Sequence, residues 1–224
     1  MTLVDIIQQG FQTYQNLAQA HPLLTTMATA QITFPVGDVI AQAVENRTKL
    51  EEDRNIDWKR TRFNAALASS YGAGLYGLMQ TAELPAAMGL DSAFDKAALG
   101  PNLWGNGFNL LFYINNTIGK EKNYSLRALG EFYKNITRRD EKEASTPTQA
   151  ISNFAHNMTS RVDKGEYLKS VALVLTFWNA FQWANFQYVP EEIRTPAVLS
   201  LSVPWNTLLT YFAVKSANKV SQVE

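Results

Sequence analysis

The side chains with most scope for chemistry in this chain are one acid and several amides set in otherwise apolar stretches. Asp38 follows a long uncharged segment, and Gln42 comes one helical turn later on the same helix face. An ionisable group in such surroundings is a candidate ion or proton partner. The alternative is a structural ion pair with Arg60 or Arg62, because acids in apolar surroundings are nearly always partnered.

The amides are spaced so that they share helix faces. Asn102, Asn106 and Asn109 recur at i, i+4 and i+7, and Gln182 and Asn185 lie three residues apart. Amides in an apolar environment need hydrogen-bond partners, so these faces should contact protein or water. They could line a water-filled path, or they could join helices by hydrogen bonds. The candidate polar network comprises Asp38, Gln42, Asn102, Asn106, Asn109, Gln182 and Asn185.

The sequence offers little for catalysis or for metal binding. It has no cysteine and only two histidines, His21 and His156, which stand far apart in the sequence. It contains neither a G-x-S-x-G motif nor a phosphate-binding loop. We therefore expect no enzyme, no catalytic residue and no metal or other cofactor, with structural lipids as the only bound molecules to consider. The net charge of zero gives no indication of nucleic-acid binding.

The elements that would position these residues are predicted from the distribution of charge. Although 18% of the residues are charged, five stretches carry no Asp, Glu, Lys or Arg. A bilayer core is the commonest reason for such sorting. We predict one all-α membrane domain over residues 1–224, a polytopic bundle of four to five spanning helices. The uncharged stretches are 6–37, 63–82, 97–119, 170–190 and 195–214, and the spans are expected near 22–44, 63–82, 97–119, 170–190 and 195–214.

The basic residues support this arrangement independently. Successive loops between membrane spans lie on opposite sides of the bilayer, and Lys and Arg collect on one side. With five spans, 18 of the 20 Lys and Arg residues fall on one side, in residues 45–62, residues 120–169 and the tail after 214. Five spans therefore fit the charge pattern, whereas four would break it. A soluble helical bundle with polar loops is the alternative, but soluble helices seldom stay uncharged for about twenty residues.

Two regions outside the predicted spans also have helical patterns. In residues 1–21, apolar side chains recur at helical spacing against a glutamine-rich back, which predicts an amphipathic helix that ends at His21-Pro22. This helix could lie at the membrane interface or pack on neighbouring protein. The basic segment 120–169, between the third and fourth spans, contains two apolar stripes separated by a charged run and Pro147. It should form two surface helices that rest on headgroups or bind a partner.

The C-terminal part of the chain carries a specific motif. It reads W-x-x-x-Q-x-x-N-F-x-x-V-P-x-x-x-R from residue 178, followed by a tryptophan in the last span. This segment resembles the signature of the Mpv-seventeen family, also called the peroxisomal membrane protein of twenty-two kilodaltons family. The agreement extends into the N-terminal half of the chain. The matching positions that we consider family motifs are Pro22, Gly37, Asp38, Arg60, Arg62, Trp178, Gln182, Asn185, Phe186, Pro190, Arg194 and Trp205.

The resemblance implies a small helical protein of an organellar membrane. It favours the mitochondrial inner membrane, with the peroxisomal or another organellar membrane as the alternative, and some members of the family are similar to non-selective channels. The chain departs from the family pattern at Gly77-Leu78, Glu83-Leu84 and Gly100-Pro101, and its segment 120–169 is long. We therefore favour an accessory structural subunit of a larger membrane complex, in contact with lipid and other membrane protein subunits. The alternative is a non-selective solute or ion channel.

Overall fold

The computed structural model describes residues 2–47, 49–80, 89, 92–100, 105–144, 146–189, 197–198 and 201–222. Every regular element in these ranges is a helix, so the all-α class predicted from the sequence is confirmed for the described residues. The helices are α1 (Leu3–Ala20), α2 (Pro22–Asn46), α3 (Trp58–Gln80), α4 (Ala93–Gly100), α5 (Asn106–Glu121), α6 (Leu126–Glu143), α7 (Pro147–Thr159), α8 (Lys164–Leu173), α9 (Asn179–Tyr188) and α10 (Ser202–Val220).

Helices α1 and α2 meet at the break predicted at His21-Pro22. Thr2 caps the start of α1 by accepting a hydrogen bond from the backbone N–H of Asp5, and the Asp5 carboxylate accepts one in return. His21 leaves the helical conformation at the end of α1, and Pro22 opens α2, where its missing N–H costs little. Several apolar side chains of α1, including Leu3 and Leu17, are exposed. Helix α1 packs only against α2 to any extent among the described elements.

The centre of the bundle is built from α2 with α3 on one side and α10 on the other. Two glycines allow this close approach. A Cβ atom on Gly72 would lie 2.8 Å from the Cα atom of Met27, and one on Gly37 would lie 2.8 Å from the Cβ atom of Asn206. Small residues of this kind let helix backbones pack closely. Gly72 and Gly37 therefore serve helix packing.

The third predicted span, 97–119, includes residues 101–104, which lie outside the described part of the chain. On either side of them, α4 ends at Gly100 and α5 begins at Asn106. A single span over 97–119 therefore stays a prediction.

The basic segment 120–169 contains α6 and α7, the two helices that its apolar stripes predict. The inner side chains of both helices, including Phe132, Ile136 and Phe154, pack on a core that contains Phe112, Tyr113 and Ile118 from α5. The opposite side of α6 is charged, and its Arg127–Glu131 pair is exposed to solvent. Segment 120–169 is thus an ordered part of the structure with an outward-facing basic surface.

The segment that carries the tryptophan motif is helical from Lys164 to Tyr188 but changes its winding in the middle. Helix α8 passes into a π-helical turn, Val174–Trp178, and then into α9. Such wide turns inside helices often mark functional or closely packed positions. Trp178 stands at the last position of this turn, next to Trp205 of α10.

Membrane crossing places demands on both length and apolar character. Within the described ranges, no helix is at once long enough and apolar enough to cross a membrane.

Candidate functional site

Asp38 lies at the centre of a polar cluster between α2 and α3, and both of its carboxylate oxygens are paired. Its side chain is 0% exposed. One carboxylate oxygen accepts hydrogen bonds from the Nε atom of Arg60 at 2.7 Å and from the amide of Asn64 at 3.3 Å. The other accepts from the hydroxyl of Thr61 at 2.6 Å and from the amide of Gln42 at 2.8 Å. A buried carboxylate needs this degree of compensation, and here it is complete.

The guanidinium of Arg60 joins two acids of α2. Its Nε–H donates to Asp38, while its two terminal nitrogens donate to the two oxygens of Glu45 at 2.9 and 3.0 Å. This two-pronged geometry suits arginine, because the planar guanidinium presents parallel N–H groups that lysine lacks. Of the two arginines proposed as partners, the structure therefore selects Arg60. Arg62 is exposed.

Gln42 extends the cluster to the start of α3. Its amide nitrogen donates to Asp38 and to Thr61, and its carbonyl oxygen accepts from the backbone N–H of Asp57 at 2.6 Å. The Asp57 carboxylate in turn accepts from the backbone N–H groups of Lys59 and Arg60, which caps α3. We define the Asp38 cluster as Asp38, Gln42, Glu45, Asp57, Arg60, Thr61 and Asn64. It joins α2 to α3 and leaves neither carboxylate oxygen of Asp38 free for a transported ion.

The three basic segments assigned to one side by the charge pattern meet at one end of the bundle. Lys59 donates to the side chain of Asn123, and Lys120 donates to Asn218 near the C-terminus. Arg161 pairs with Glu121 across α5 and the end of α7. Segment 120–169 therefore contacts both residues 45–62 and the tail after 214. The five-span topology that groups these segments on one side stays a prediction.

The same end of the bundle contains a second buried acid, Glu166, which the sequence reasoning missed. Its side chain is 1% exposed and accepts hydrogen bonds from Lys219 at 2.8 Å and from Lys169 at 3.0 Å. Burial acts to raise the pKa of Glu166, but these hydrogen bonds and the charges of Lys169 and Lys215 outweigh it and hold the pKa below its usual value. The backbone N–H of Glu166 also lowers the pKa of the capping residue Asp163.

Asn109 and Gln182, two of the predicted amides, lie on the wall of a cavity of about 150 Å³ between the helices. The wall is mainly apolar and includes Trp178 and Trp205, whose rings meet edge to face with centroids 5.6 Å apart. Gln182 also accepts a hydrogen bond from Asn185 at 3.3 Å, and Asn185 is buried. Asp38 is not among the described residues that line this cavity.

The predicted polar network is therefore two groups in the described structure. Asp38 and Gln42 belong to the cluster between α2 and α3, whereas Asn109 and Gln182 face the cavity. Asn106 lies at the start of α5, where its backbone carbonyl accepts from the hydroxyl of Tyr167 at 3.1 Å. Asn102 lies outside the described residues, as do the motif positions Pro190 and Arg194. Phe186 lies in α9 and is partly buried.

Further polar contacts join helices at positions that the sequence reasoning did not select. Asn206 of α10 donates to the hydroxyl of Thr33 in α2 at 3.3 Å, and Gln31 donates to Ser69 of α3 at 2.7 Å. Interhelical hydrogen bonding is one of the two roles proposed for the amides, and these contacts are of that type. Asn206 could have been found, because it follows the motif tryptophan and lies in an uncharged segment. The signal for Glu166 is weaker, since Lys219 is 53 residues away.

Metal binding needs several ligating side chains in one place. Across the described part of the chain, no group of three or more His, Asp and Glu side chains is arranged so that it could hold a metal ion.

Comparison with known proteins gives two matches. The family model described as Mpv17 / PMP22 family matches residues 163–210, which contain α8, the π-helical turn, α9 and the start of α10. The chain is also similar to Protein sym1 of Aspergillus oryzae, with 26% identity over 200 residues that cover 89% of this chain and 95% of that protein. No solved structure matches the chain significantly. The resemblance recognised from the tryptophan motif is thus confirmed: residues 163–210 match the Mpv17 / PMP22 family model, and most of the chain is similar to Protein sym1.

Proposed function

We propose that the chain is a non-enzymatic integral membrane protein of an organelle and acts as an accessory structural subunit of a larger membrane assembly. The family resemblance favours the mitochondrial inner membrane as its location. The observation that carries the proposal is the orientation of α2, which turns polar side chains inward and apolar side chains outward.

The inner face of α2 contains Asp38, Gln42 and Asn46, all buried. Its outer face carries Ile32, 67% exposed, and Val36, 43% exposed, and it continues through further branched residues at helical spacing. The continuation consists of Ile40 and Val44, both exposed. A helix surrounded by water would bury such residues, because a contiguous apolar face in water is unfavourable. This face therefore requires hydrocarbon or another protein against it.

A structural role is favoured over a pathway because Asp38 is already satisfied. A selectivity residue needs an oxygen that can exchange water or an ion, whereas both oxygens of Asp38 accept two hydrogen bonds each. The docking surface that we assign is the outward side of α6, where Lys134 and Arg138 are exposed one turn apart. The inner side of that helix is occupied by the core, so the basic side is free to bind a partner.

Membrane embedding can be tested with single cysteines, because the chain has none of its own. We expect Ile32→Cys in sealed vesicles to resist a membrane-impermeant maleimide until the protein is denatured. Lys134→Cys should react from one side of the membrane, and Gln19→Cys should react only from the other. Equal labelling of Ile32→Cys and Lys134→Cys in the folded protein would contradict the assignment of α2 to an embedded surface.

The subunit role is tested by mild detergent extraction and native electrophoresis. We expect the wild-type chain to migrate in an assembly much larger than its own 25.1 kDa. Lys134→Glu with Arg138→Glu should release it, because the charge of the proposed docking surface is reversed. Arg47→Glu with Lys49→Glu is the matched control, with the same charge change at exposed positions between α2 and α3. Migration of the wild type as a monomer would sink the subunit role, and planar-bilayer recordings would then test the channel alternative.

A further inference from the structure

The cavity described above has the size and the walls of a site for an apolar molecule. Its volume of about 150 Å³ matches that of an engineered protein cavity that stays dry and binds benzene. It is bounded by side chains from α2, α3, α5, α10 and the segment around the π-helical turn. The rings of Phe34, Tyr71 and Phe112 form one part of the wall, with centroids 5.4 to 5.7 Å apart. Trp178 and Trp205 form another.

One polar group on this wall lacks the partner that burial demands. Asn109 is 5% exposed, and its amide nitrogen has no hydrogen-bond acceptor within the described part of the chain. Buried amide groups are almost always paired, so an orphan donor on a cavity wall points to an acceptor that enters the cavity. The nearby pair Asn206 and Thr33 is already joined by its own hydrogen bond, at 3.3 Å.

We propose that this cavity binds an uncharged apolar molecule that carries one hydrogen-bond-accepting oxygen, and that the amide of Asn109 donates to that oxygen. The ring or chain of the ligand occupies the space between the aromatic side chains. No charged side chain lines the cavity among the described residues, so an anionic or cationic headgroup is excluded from the interior. A ring ketone, a sterol hydroxyl and an acyl ester carbonyl share this chemistry.

The contribution of the ligand's acceptor oxygen to binding can be measured with two probes of the same shape. Cyclohexanone carries the acceptor oxygen, and methylenecyclohexane replaces it with a carbon. Titrations of the purified full chain in detergent should show saturable binding, with the ketone preferred after correction for the partition of each probe into empty micelles. The preference should be about three- to tenfold, the value of one hydrogen bond. A wild-type protein that binds neither probe saturably, or binds both equally, would overturn the proposal and leave a cavity that holds water only.

Two substitutions on α5 locate the donor. Asn109→Leu keeps the branched shape of the side chain, although leucine is larger, and removes the donor. The ketone preference should therefore disappear while binding of the hydrocarbon remains. Asn116→Leu is the matched control, because Asn116 is a buried asparagine of the same helix that does not line the cavity. Retention of the preference in Asn109→Leu would overturn the role of Asn109. The wild-type titration tests the cavity even if either variant fails to fold.

The natural source of the ligand is identified by organic extraction of the purified protein and mass spectrometry. Quinones, sterols and acyl lipids are quantified separately in the extract. We expect one class to be enriched over detergent-matched blanks, and its recovery to fall at least threefold in Asn109→Leu but not in Asn116→Leu. Equal recovery from both variants would contradict the proposal.

Discussion

The Nε atom of Arg60 lies 2.7 Å from a carboxylate oxygen of Asp38, and both side chains are buried. This ion pair joins α2 to α3 and is supported by Glu45, which accepts the other two guanidinium bonds. The pair is therefore one part of a network rather than an isolated contact.

Replacing Asp38 should destabilise the hairpin strongly. In Asp38→Asn, the buried Arg60 loses one of its two negative partners. The new amide also has only one acceptor oxygen, so it cannot accept hydrogen bonds from all the groups that donate to Asp38, which include Asn64 and Gln42. Removal of one member of a buried pair costs about 3 kcal/mol. Thermal unfolding in detergent, followed by circular dichroism, measures the loss. The control is Glu131→Gln, which breaks the exposed Arg127–Glu131 pair and should cost less than about 0.5 kcal/mol.

Arg60→Lys tests the geometry of the cluster separately from its charge. Lysine keeps the positive charge but cannot donate to Asp38 and to both oxygens of Glu45 in the same plane. We expect a loss of about 2 kcal/mol in the free energy of unfolding. Arg62→Lys provides the matched control, since Arg62 is exposed two residues later in the same helix. Similar stability of the two variants would mean that the bidentate contact contributes nothing.

Gly37→Ala should destabilise the contact between α2 and α10. The new methyl group would lie 2.8 Å from the Cβ atom of Asn206 and 3.0 Å from its carbonyl carbon, so backbone would have to move. Overpacking of this kind costs about 2 kcal/mol. In Gly130→Ala the new methyl group meets nothing within 4 Å, and the helix should gain up to about 1 kcal/mol. Thermal unfolding of both variants measures the difference, and an equal response would contradict the packing role of Gly37.

The pH dependence of stability should reveal Glu166. Because its folded pKa is lower than its ordinary value of 4.5, the carboxylate stabilises the fold fully above about pH 4.5. This contribution is lost as the pH falls through the lower, folded pKa. We expect Glu166→Gln to lower stability at neutral pH and to flatten the acid part of the curve.

Lys219→Met provides an independent test of the same contact. Loss of the Lys219 hydrogen bond should raise the folded pKa of Glu166 toward its ordinary value. The acid-dependent loss of stability should therefore be smaller and should end at a higher pH than in the wild type. Lys134→Met, a substitution of an exposed lysine on α6, is the control and should leave the decline where it is in the wild type. Melting temperatures recorded across the acid range would show both effects. An unchanged curve for Lys219→Met would exclude the contact as a determinant of acid stability.

Features that depend only on the local sequence could be predicted. The break between α1 and α2 follows from His21-Pro22, and α6 and α7 follow from apolar side chains at helical spacing. An acid in an apolar stretch requires a nearby base, so the sequence predicts that Asp38 pairs with either Arg60 or Arg62. Arg60 and Arg62 are equivalent by composition, and only the direction in which each leaves α3 distinguishes them.

Features that depend on distant segments could not be predicted. The partners of Glu166 come from both its own helix and the C-terminus, so its local sequence resembles an ordinary solvated helix start. The π-helical turn at Val174–Trp178 has no signature in an uncharged aromatic stretch. Asn109 and Gln182 line the same cavity because of the way α5 and α9 pack. Helical periodicity alone does not determine that packing.

The polar inner face of α2 has a consequence for the insertion of the chain into a membrane. If α2 is embedded as we propose, its synthesis presents an acid to the insertion machinery before the compensating base, 22 residues later, has emerged. If α2 were released into lipid alone, Asp38 would lie in hydrocarbon without its partner. If α2 and α3 were released together, Asp38 and Arg60 would already be paired where the two helices meet. The α2–α3 hairpin is therefore the smallest unit that can leave a translocase, and a chain arrested between Asp38 and Arg60 should remain at the protein-lined exit.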